Sequence, residues 1–443
     1  MAVCGADDSA TDHHLSSTAK RILQMRYFVL IFLLLLSSVA MGVEVVMTAS
    51  GTADDRFYTY RPAAENCAAA ATTTDSLVVG GHTSADSLYW AEITFDNVLV
   101  PNNATITSVV LGVQVKRAFE IDLETGMYNQ IRFIQSDNAN APSGGCAWPG
   151  SGSYGTWEFV SGSYAANETL ALDCGTAALN EIIDRAGWAS GNSVTIAIGD
   201  GGSGSSDVKI ILKALGSYSH TLTVNYTVPT SGVQQYRICA ATDDVLQVTG
   251  DDVYQTTLRI GNDGGVIYNT GLRFQNVQIP QGSVIDTSFI KWTSSDIYTG
   301  ATCNATIDGD DTDDAATFST NANYTGRTRT TASVAWSAIE SWSSSGTEYL
   351  SPNFTSVPKE IVDRAGWAAG NDMAFFFNNN SSSTNANRRA VNYENGVTTC
   401  PVWRVKYSAA ASGTTPMRRR RILQMGSLEP QMIEWTQWEK VNE

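Results

Sequence analysis

Residues 181–192 read EIIDRAGWASGN, and residues 360–371 read EIVDRAGWAAGN. Ten of the twelve positions are identical, and the second copy begins 179 residues after the first (360 against 181). The same offset aligns other positions on both sides of the segment, at Phe95/Phe274, Pro101/Pro280, Ile106/Ile285 and Trp157/Trp336. A register kept over roughly a hundred positions indicates a duplicated domain of about 180 residues.

The repeated segment has the pattern of a short helix followed by an aromatic anchor. Apolar and charged residues from Val357 to Arg364 are spaced as on an amphipathic helix, and Pro358 suits the first turn. We expect Gly366 to leave this helix with positive φ and Trp367 to fold the helix end onto a core. The alternative for the two tryptophans is a sugar-stacking platform, but a core position is more frequent for such large aromatics.

The composition is typical of an extracellular all-β protein. The chain has 443 residues, of which 43% are hydrophobic and 16% charged, and this is enough apolar material for two cores. Long amphipathic helices are absent from the sequence pattern. The net charge of −16 argues against nucleic acid as a partner, because its phosphates would repel most of the surface.

The amino-terminal region has the features of a secretory signal peptide. The apolar run FVLIFLLLL follows Arg26, and small residues at 38–42 offer a cleavage site. We assign residues 25–42 to this signal, which predicts a secreted protein with no stable membrane insertion after cleavage. An uncleaved anchor is the alternative.

Both ends of the chain contain the pentapeptide RILQM after basic residues, at 21–25 and 421–425. Lys and Arg have purine-rich codons. A purine-rich stretch a few codons ahead of Met is what a prokaryotic ribosome-binding site and start codon give when they are translated in frame. We therefore interpret residues 1–24 as a mistranslated leader and residues 409–443 as a disordered tail, of which 418–443 is read-through into a following gene. A basic tail on an anionic surface is the alternative.

Between these ends the chain is a series of short apolar strands separated by turns. Apolar residues alternate from Val109 to Val115 and from Met373 to Phe377, and Arg327–Trp336 is expected to form another strand. We predict an all-β fold of two tandem jelly-roll β-sandwich domains, each with one short helix. The predicted bounds are 43–228 for domain 1, 229–234 for the linker and 235–408 for domain 2.

The run GLRFQNVQIPQGSVI (271–285), the acidic loop ending in DDAATFS, the run RTRTTASVAW and the second repeated segment together resemble a family. Domain 2 is similar to DNRLRE-type, carbohydrate-binding-module-like jelly-roll domains of secreted bacterial and environmental proteins. Domain 1 matches at 95–106 and 181–192 but lacks the acidic loop and the RTRTTAS run. The resemblance implies attachment to surface polysaccharide or a structural role, without catalysis.

An acidic loop in domain 2 is a candidate calcium site. Its carboxylates alternate around a glycine, as a hard cation that takes several oxygen ligands from one tight loop requires. The loop lacks the glutamate that closes an EF-hand. The alternative is a solvated acidic turn. The candidate ligands are Asp308, Asp310, Asp311, Asp313 and Asp314.

Four aromatic residues in Gly/Ser-rich surroundings are candidates for stacking on a sugar ring: Trp148, Trp342, Tyr154 and Tyr349. The alternative is that they are loop aromatics folded over the edge of the sandwich. Six cysteines follow the predicted signal and do not match at the repeat offset, and Cys146–Cys174 is the disulfide predicted first.

These features predict a non-catalytic protein, secreted or displayed at the cell surface, that binds polysaccharide or a cell-surface glycan or serves adhesion. A decoration or fibre protein of a prokaryotic virus is the alternative from another class, with a virion location. A polysaccharide-active enzyme is a third hypothesis, although no motif places an acid and a base together.

Overall fold

The computed structural model describes residues 42–49, 55–61, 66–69, 76–82, 87–121, 128–139, 152–158, 162–199, 209–215, 217–248, 253–254, 257–298, 302–410, 418–419 and 438–439. The chain separates into two compact units, Met1–Gly42 and Val43–Glu443. The predicted leader and, apart from Gly42, the predicted signal peptide lie outside the described residues. Among the residues that are described, no helix has the length and apolar character needed to cross a membrane.

The first half, called sandwich 1, contains one described helix. Its elements are β1 (Gly42–Thr48), β2 (Asp55–Arg61), β3 (Asn66–Ala69), β4 (Ser76–His82), β5 (Ser87–Val98), β6 (Thr105–Gln114), β7 (Phe119–Ile121), β8 (Tyr128–Phe133), β9 (Tyr154–Glu158), β10 (Gly162–Tyr164), β11 (Thr169–Asp173), α1 (Thr176–Ile183), β12 (Asn192–Gly199), β13 (Lys209–Lys213) and β14 (Thr221–Thr227).

The second half, called sandwich 2, begins after a four-residue connection. Its elements are β15 (Gly232–Arg237), β16 (Asp244–Val248), β17 (Val253–Tyr254), β18 (Leu258–Asp263), β19 (Val266–Phe274), β20 (Val284–Thr293), β21 (Ala305–Gly309), α2 (Asn321–Thr325), β22 (Val334–Trp336), β23 (Glu348–Leu350), α3 (Ser356–Val362), β24 (Met373–Asn379), β25 (Ala386–Ala390) and β26 (Val402–Ser408).

Eight strands recur in both halves and form the same two antiparallel sheets. Numbered one to eight along the chain, they are β1, β5, β6, β8, β9, β11, β12 and β14 in sandwich 1, and β15, β19, β20, β21, β22, β23, β24 and β26 in sandwich 2. In each half one sheet has the strand order 1-8-3-6 and the other contains the order 2-7-4-5. This is the jelly-roll arrangement, so the predicted fold class is confirmed.

Each sandwich closes its own hydrophobic core between its two sheets. The buried residues of one core all fall between Met47 and Tyr226, and those of the other between Tyr236 and Tyr407. The alternation predicted from Val109 to Val115 is confirmed, because Val109, Leu111, Val113 and Val115 are buried in the first core. The helix between the sixth and seventh strands packs one face onto the same core in each half.

Sandwich 2 has an additional small apolar cluster on the outer face of its larger sheet. Because side chains of β24 alternate, Phe375 and Phe377 point into the main core while Phe376 points outward. Phe318 and Tyr324, from the segment around α2, cover Phe376 with ring centroids 6.0 and 5.2 Å away. The segment that follows the acidic loop therefore folds over the outer face of the larger sheet.

Three sequence expectations differ from the structure. Strand β15 starts at Gly232, inside the predicted linker 229–234, so only 228–231 connect the last strand of one sandwich to the first of the next. The strand expected over Arg327–Trp336 is confined to β22, because the two arginines of this run turn toward aspartates. In the tail predicted to be disordered, β27 (Arg418–Arg419) pairs with β28 (Trp438–Glu439).

Candidate functional site

The tryptophan of the repeated segment is a buried anchor in both sandwiches. Trp188 is 0% exposed and Trp367 is 3% exposed. The indole Nε1 of Trp188 donates to the carbonyl of Val100, and that of Trp367 donates to the carbonyl of Ile279, each at 2.9 Å. Since the ring and its only donor are both used inside the fold, the core interpretation is confirmed and neither ring is a sugar platform.

An arginine–aspartate pair fixes the end of each helix. Arg185 pairs with Asp137, and Arg364 Nε donates to Asp313 Oδ1 at 2.7 Å. These four side chains are about a third to a half exposed, so the pairs contribute orientation more than stability.

The glycine after each helix has a different role from the one expected. Gly366 does not have positive φ; instead, a Cβ at this position would lie 2.0 Å from Asp313 Oδ2. The equivalent Cβ on Gly187 would lie 2.1 Å from Asp137 Oδ2. The glycine is therefore required because the paired aspartate approaches the backbone closely, which only a residue without a side chain allows.

The glutamate of the segment binds the loop that precedes the fifth shared strand, β9 in sandwich 1 and β22 in sandwich 2. Glu181 accepts hydrogen bonds from the Ser153 N–H at 2.9 Å and its hydroxyl at 2.5 Å. Glu360 accepts from the N–H groups of Thr331 at 2.8 Å and Ala332 at 2.6 Å. The Ser153 bonds lower the pKa of Glu181; for Glu360, burial acts to raise the pKa, but the backbone hydrogen bonds hold it below its ordinary value.

The loop that ends the first repeated segment also contacts sandwich 2. We call residues 186–192 docking loop 1 and the equivalent residues 365–371 docking loop 2. Ser190 N donates to the carbonyl of Gln235 at 2.8 Å, and Arg237 N donates to the carbonyl of Ser190 at 2.7 Å. Docking loop 1 thereby pairs with the outer edge of β15, the edge strand of its sheet, as an added strand would.

Side chains extend this contact on both sides of the backbone bridge. Gln235 Nε2 donates to the carbonyls of Ala186 and Trp188 at 3.0 and 3.1 Å, and Gln235 N donates to Asn102 Oδ1 at 3.1 Å. Asn102 is itself held by Trp188, whose carbonyl accepts from Asn102 Nδ2 at 2.8 Å. A neighbouring bond joins Asn103 Nδ2 to the carbonyl of Val233 at 3.0 Å.

A second group of hydrogen bonds closes the contact between the sandwiches. Arg237 Nε donates to Asn192 Oδ1 at 2.6 Å within the buried part of the interface. Asn276 Nδ2 donates to the carbonyl of Leu99 at 2.9 Å and lies 3.3 Å from the hydroxyl of Tyr226. The interface is therefore polar and directional, and it fixes one sandwich against the other.

The two docking loops have the same internal bonds but different environments. Gly191 N donates to the carbonyl of Val98 and Gly370 N to the carbonyl of Val277, both at 2.9 Å, and both glycines have positive φ. Residues 189–191 are buried beneath sandwich 2, whereas 368–370 are exposed. Sequence reasoning missed this interface because β15 was placed in a linker and its partner residues carry no motif.

The aromatic candidates for sugar stacking are mostly engaged within the fold. Trp342 is fully buried and stacks on Tyr349 with ring centroids 5.1 Å apart, so the expectation of an exposed Trp342 is wrong and the folded-in alternative holds. Tyr154 is 46% exposed, with the guanidinium carbon of Arg132 4.7 Å from its ring centroid. Trp148 lies outside the described residues.

The first two aspartates of the calcium candidate pair with arginines. Asp310 accepts from Arg327 at 2.8 Å with both side chains nearly buried, and Asp308 lies 3.3 Å from Arg329 Nε. Asn378 Nδ2 also donates to Asp308 at 3.0 Å. Burial raises the pKa of Asp308 to about 6, although the Arg329 charge opposes this shift.

The remaining aspartates of the loop are also used by the protein. Arg364 contacts both Asp311 and Asp313, and Asp314 Oδ1 accepts from the Asp372 N–H at 2.8 Å. In the described part of the chain, no group of three or more His, Cys, Asp or Glu side chains is arranged to hold a metal ion. Calcium binding stays a prediction from the sequence, and the described contacts of the five aspartates do not form a converging set of oxygen ligands.

The cysteines in the described segments are buried thiols. Cys174 is a buried free thiol, and Cys146, the partner predicted for it, lies outside the described residues, so the Cys146–Cys174 disulfide stays a prediction. Burial, and then the nearby charge of Asp173, raise the pKa of Cys174 far above its ordinary value. The other buried free cysteines are Cys239, Cys303 and Cys400.

Comparison with known proteins finds only distant structural similarity. No protein-family model and no curated protein matches the sequence. Among solved structures, the chain is similar to PNGF-II at 8% identity, covering 85% of this chain and 67% of that one, with a TM-score of 0.20. It is also similar to the structure of Sulfolobus turreted icosahedral virus at 10% identity, covering 84% and 92% of the two chains, with a TM-score of 0.17.

Proposed function

We propose that this chain is a non-catalytic structural protein of an extracellular surface, either of a cell or of a virion, whose two jelly rolls act as one rigid building block. The observation that supports the proposal most strongly is the docking of loop 1 onto β15. This contact seals an exposed sheet edge and joins the sandwiches through directional hydrogen bonds.

The distribution of polar groups favours this function over catalysis. The candidate carboxylates of the acidic loop are neutralised by arginines or accept backbone N–H groups, which suits a scaffold. An acid–base pair would need carboxylates that face a cleft with a substrate between them. The Glu, Arg and Trp side chains of the repeated segment, in turn, make their contacts inside their own sandwich.

Rigid coupling can be tested with a pair of equivalent substitutions. Asn102 binds Trp188 and Gln235 across the interface, whereas the equivalent Gln281 is exposed and binds only the carbonyl of Arg364 among the described contacts. We expect one coupled unfolding transition by calorimetry for the wild type and for Gln281→Ala. Asn102→Ala should broaden the transition toward two components, because it removes the hydrogen bond to Gln235 and weakens the contact between the sandwiches without opening either core. Two separate transitions already in the wild type would contradict the proposal.

The absence of activity on glycans is tested separately. A glycan array and a reducing-sugar assay with purified chain should give no binding and no product. Product release would establish an enzyme instead. Electron microscopy of purified particles with an antibody against the chain separates a virion from a cell-surface location.

Glycan binding is a second candidate because of one observation. Tyr154 presents an exposed ring beside Arg132, which is a geometry that can stack on one face of a pyranose. If the array does show a ligand, Tyr154→Ala should abolish binding while Tyr349→Phe leaves it unchanged. Binding that survives Tyr154→Ala would rule out this site.

A further inference from the structure

The strand β1 holds the same place in sandwich 1 that β15 holds in sandwich 2. Each is the first of the eight shared strands and lies at the edge of its four-stranded sheet, β1 beside β14 and β15 beside β26. The outer edge of β15 is covered by docking loop 1. Among the described strands, β1 has a neighbour on one side only.

The hydrogen-bond register shows which residues of the two strands correspond. Leu222 of β14 pairs with Leu111, and Trp403 of β26 pairs with Ile290, which is Leu111 moved by the repeat offset. When β14 is superposed on β26 in this register, His220 of sandwich 1 corresponds to Pro401 of sandwich 2. In sandwich 1 the carbonyl of His220 accepts from Ala49 N at 3.0 Å.

The β15–β26 ladder then completes the alignment. Arg237 pairs with Val402, so the next residue after β15, Ile238, lies opposite Pro401. Since Ala49 lies opposite His220, the counterpart of Pro401, Ala49 corresponds to Ile238. Val46 therefore stands where Gln235 stands, and Thr48 where Arg237 stands. The backbone groups that β15 offers to docking loop 1 have their counterparts on the outward-facing residues of β1.

The side chains at the two uncovered positions both differ in polarity from those of the covered contact. In the covered contact a serine, Ser190, meets Gln235; at the equivalent uncovered positions the loop has Ala369 and the strand has Val46. Both partners are apolar, and Val46 is 58% exposed on the outer face of the edge strand. A valine facing solvent there gains from burial against an alanine loop.

We propose that docking loop 2 of one chain binds the outer edge of β1 in a second copy of the same chain, repeating between molecules the contact that joins the two sandwiches within one. The two surfaces differ, so the contact is heterologous, and each added copy leaves a free loop at one end and a free strand at the other. The inference rests on the proposed structural function and extends it to head-to-tail assembly.

The first test measures the molar mass of the assembled protein as a function of the concentration of the full chain. Mass spectrometry identifies the amino terminus of the sample, because β1 begins at Gly42, where the predicted signal peptide ends. We expect sedimentation to show masses that keep rising beyond a dimer between ~1 µM and ~1 mM, the range for a contact of a few hydrogen bonds and little apolar area. Val46→Glu and Ala369→Glu should each hold the chain monomeric, with unchanged circular dichroism. Ile297→Glu, at an equally exposed apolar residue elsewhere, should assemble like the wild type.

The second test uses the polarity of the contact. Val46→Glu retains an intact loop and Ala369→Glu retains an intact strand, so a mixture of the two should form a complex of two chains and grow no further. A wild type that remains monomeric, that stops at a dimer, or whose assembly persists in both variants would overturn the inference. A monomer that still shows one coupled unfolding transition would leave the proposed function standing, whereas glycan hydrolysis would remove that function whatever the mass.

Discussion

Replacing the repeated tryptophan with phenylalanine tests whether the segment is an internal anchor. In Trp367→Phe the carbonyl of Ile279 loses its donor, now at 2.9 Å. A buried acceptor left unpaired costs about 1–3 kcal/mol. The smaller ring leaves a cavity of roughly 40 Å³, which adds about 1 kcal/mol at about 24 cal/mol per Å³.

The substitution should therefore lower the free energy of unfolding by about 2–4 kcal/mol. Because both sandwiches are expected to unfold in one coupled transition, this corresponds to a fall in melting temperature of roughly 3–5 °C. Trp188→Phe should behave alike, because the indole of Trp188 makes the equivalent bond to Val100 at the same distance. Urea unfolding followed by far-ultraviolet circular dichroism avoids the change in tryptophan fluorescence itself.

Tyr154→Phe is the control, since it removes a polar atom from an aromatic ring that is 46% exposed and should change stability by less than about 0.5 kcal/mol. If Trp367→Phe costs no more than this control, the hydrogen bond and the burial do not support the fold as argued. Loss of binding to a glycan at unchanged stability would instead assign the ring to a ligand.

Four further outcomes follow from the buried groups and from the acidic loop. Burial lowers the pKa of His220 to about 4, so the unfolded chain binds the proton first, and the contribution of His220 to stability should fall by about 3 kcal/mol as pH drops from 6.5 through 4; the difference in urea-unfolding free energy between wild type and His220→Phe should change by this amount over that range. Arg327→Ala should cost about 3–5 kcal/mol because it leaves Asp310 buried without its partner, and Arg327→Ala/Asp310→Ala should recover part of the loss in thermal melts; equal losses in both would contradict a paired charge. Calcium should leave the wild-type melting temperature unchanged, since arginines already hold most of the loop carboxylates, and a calorimetric binding signal would reverse this view. Cys174 should resist a thiol reagent in native buffer and react in denaturant; rapid native labelling would show that its environment opens.

The sequence predicted features that depend on local periodicity. Alternation from Val109 to Val115 is enough to locate a buried strand, because side chains of a strand point to opposite faces in turn. The repeated helix and Trp367 were predictable for the same reason, since a short amphipathic run followed by a large apolar ring needs a core. The duplication then extended each of these predictions to the second half.

Features that depend on distant partners were not predictable from the residues alone. The acidic loop shows negative charge, but only the fold brings Arg327 and Arg364 to its aspartates. Gly366 is a glycine because Asp313 lies against it, and that contact spans more than fifty residues. Strand β15 was missed because its short polar run becomes a strand only between β26 and docking loop 1.

The unequal burial of the two docking loops has a consequence for how this protein changes over generations. A substitution at 189–191 must satisfy the chain's own neighbouring sandwich, so it is exposed to selection in every folded molecule. A substitution at 368 or 369 faces solvent in the single chain and is selected only through whatever that surface binds. Descendants of the same gene should accordingly diverge faster in docking loop 2 than in docking loop 1. A lineage in which docking loop 2 does not vary would indicate that this loop binds the same partner throughout that lineage.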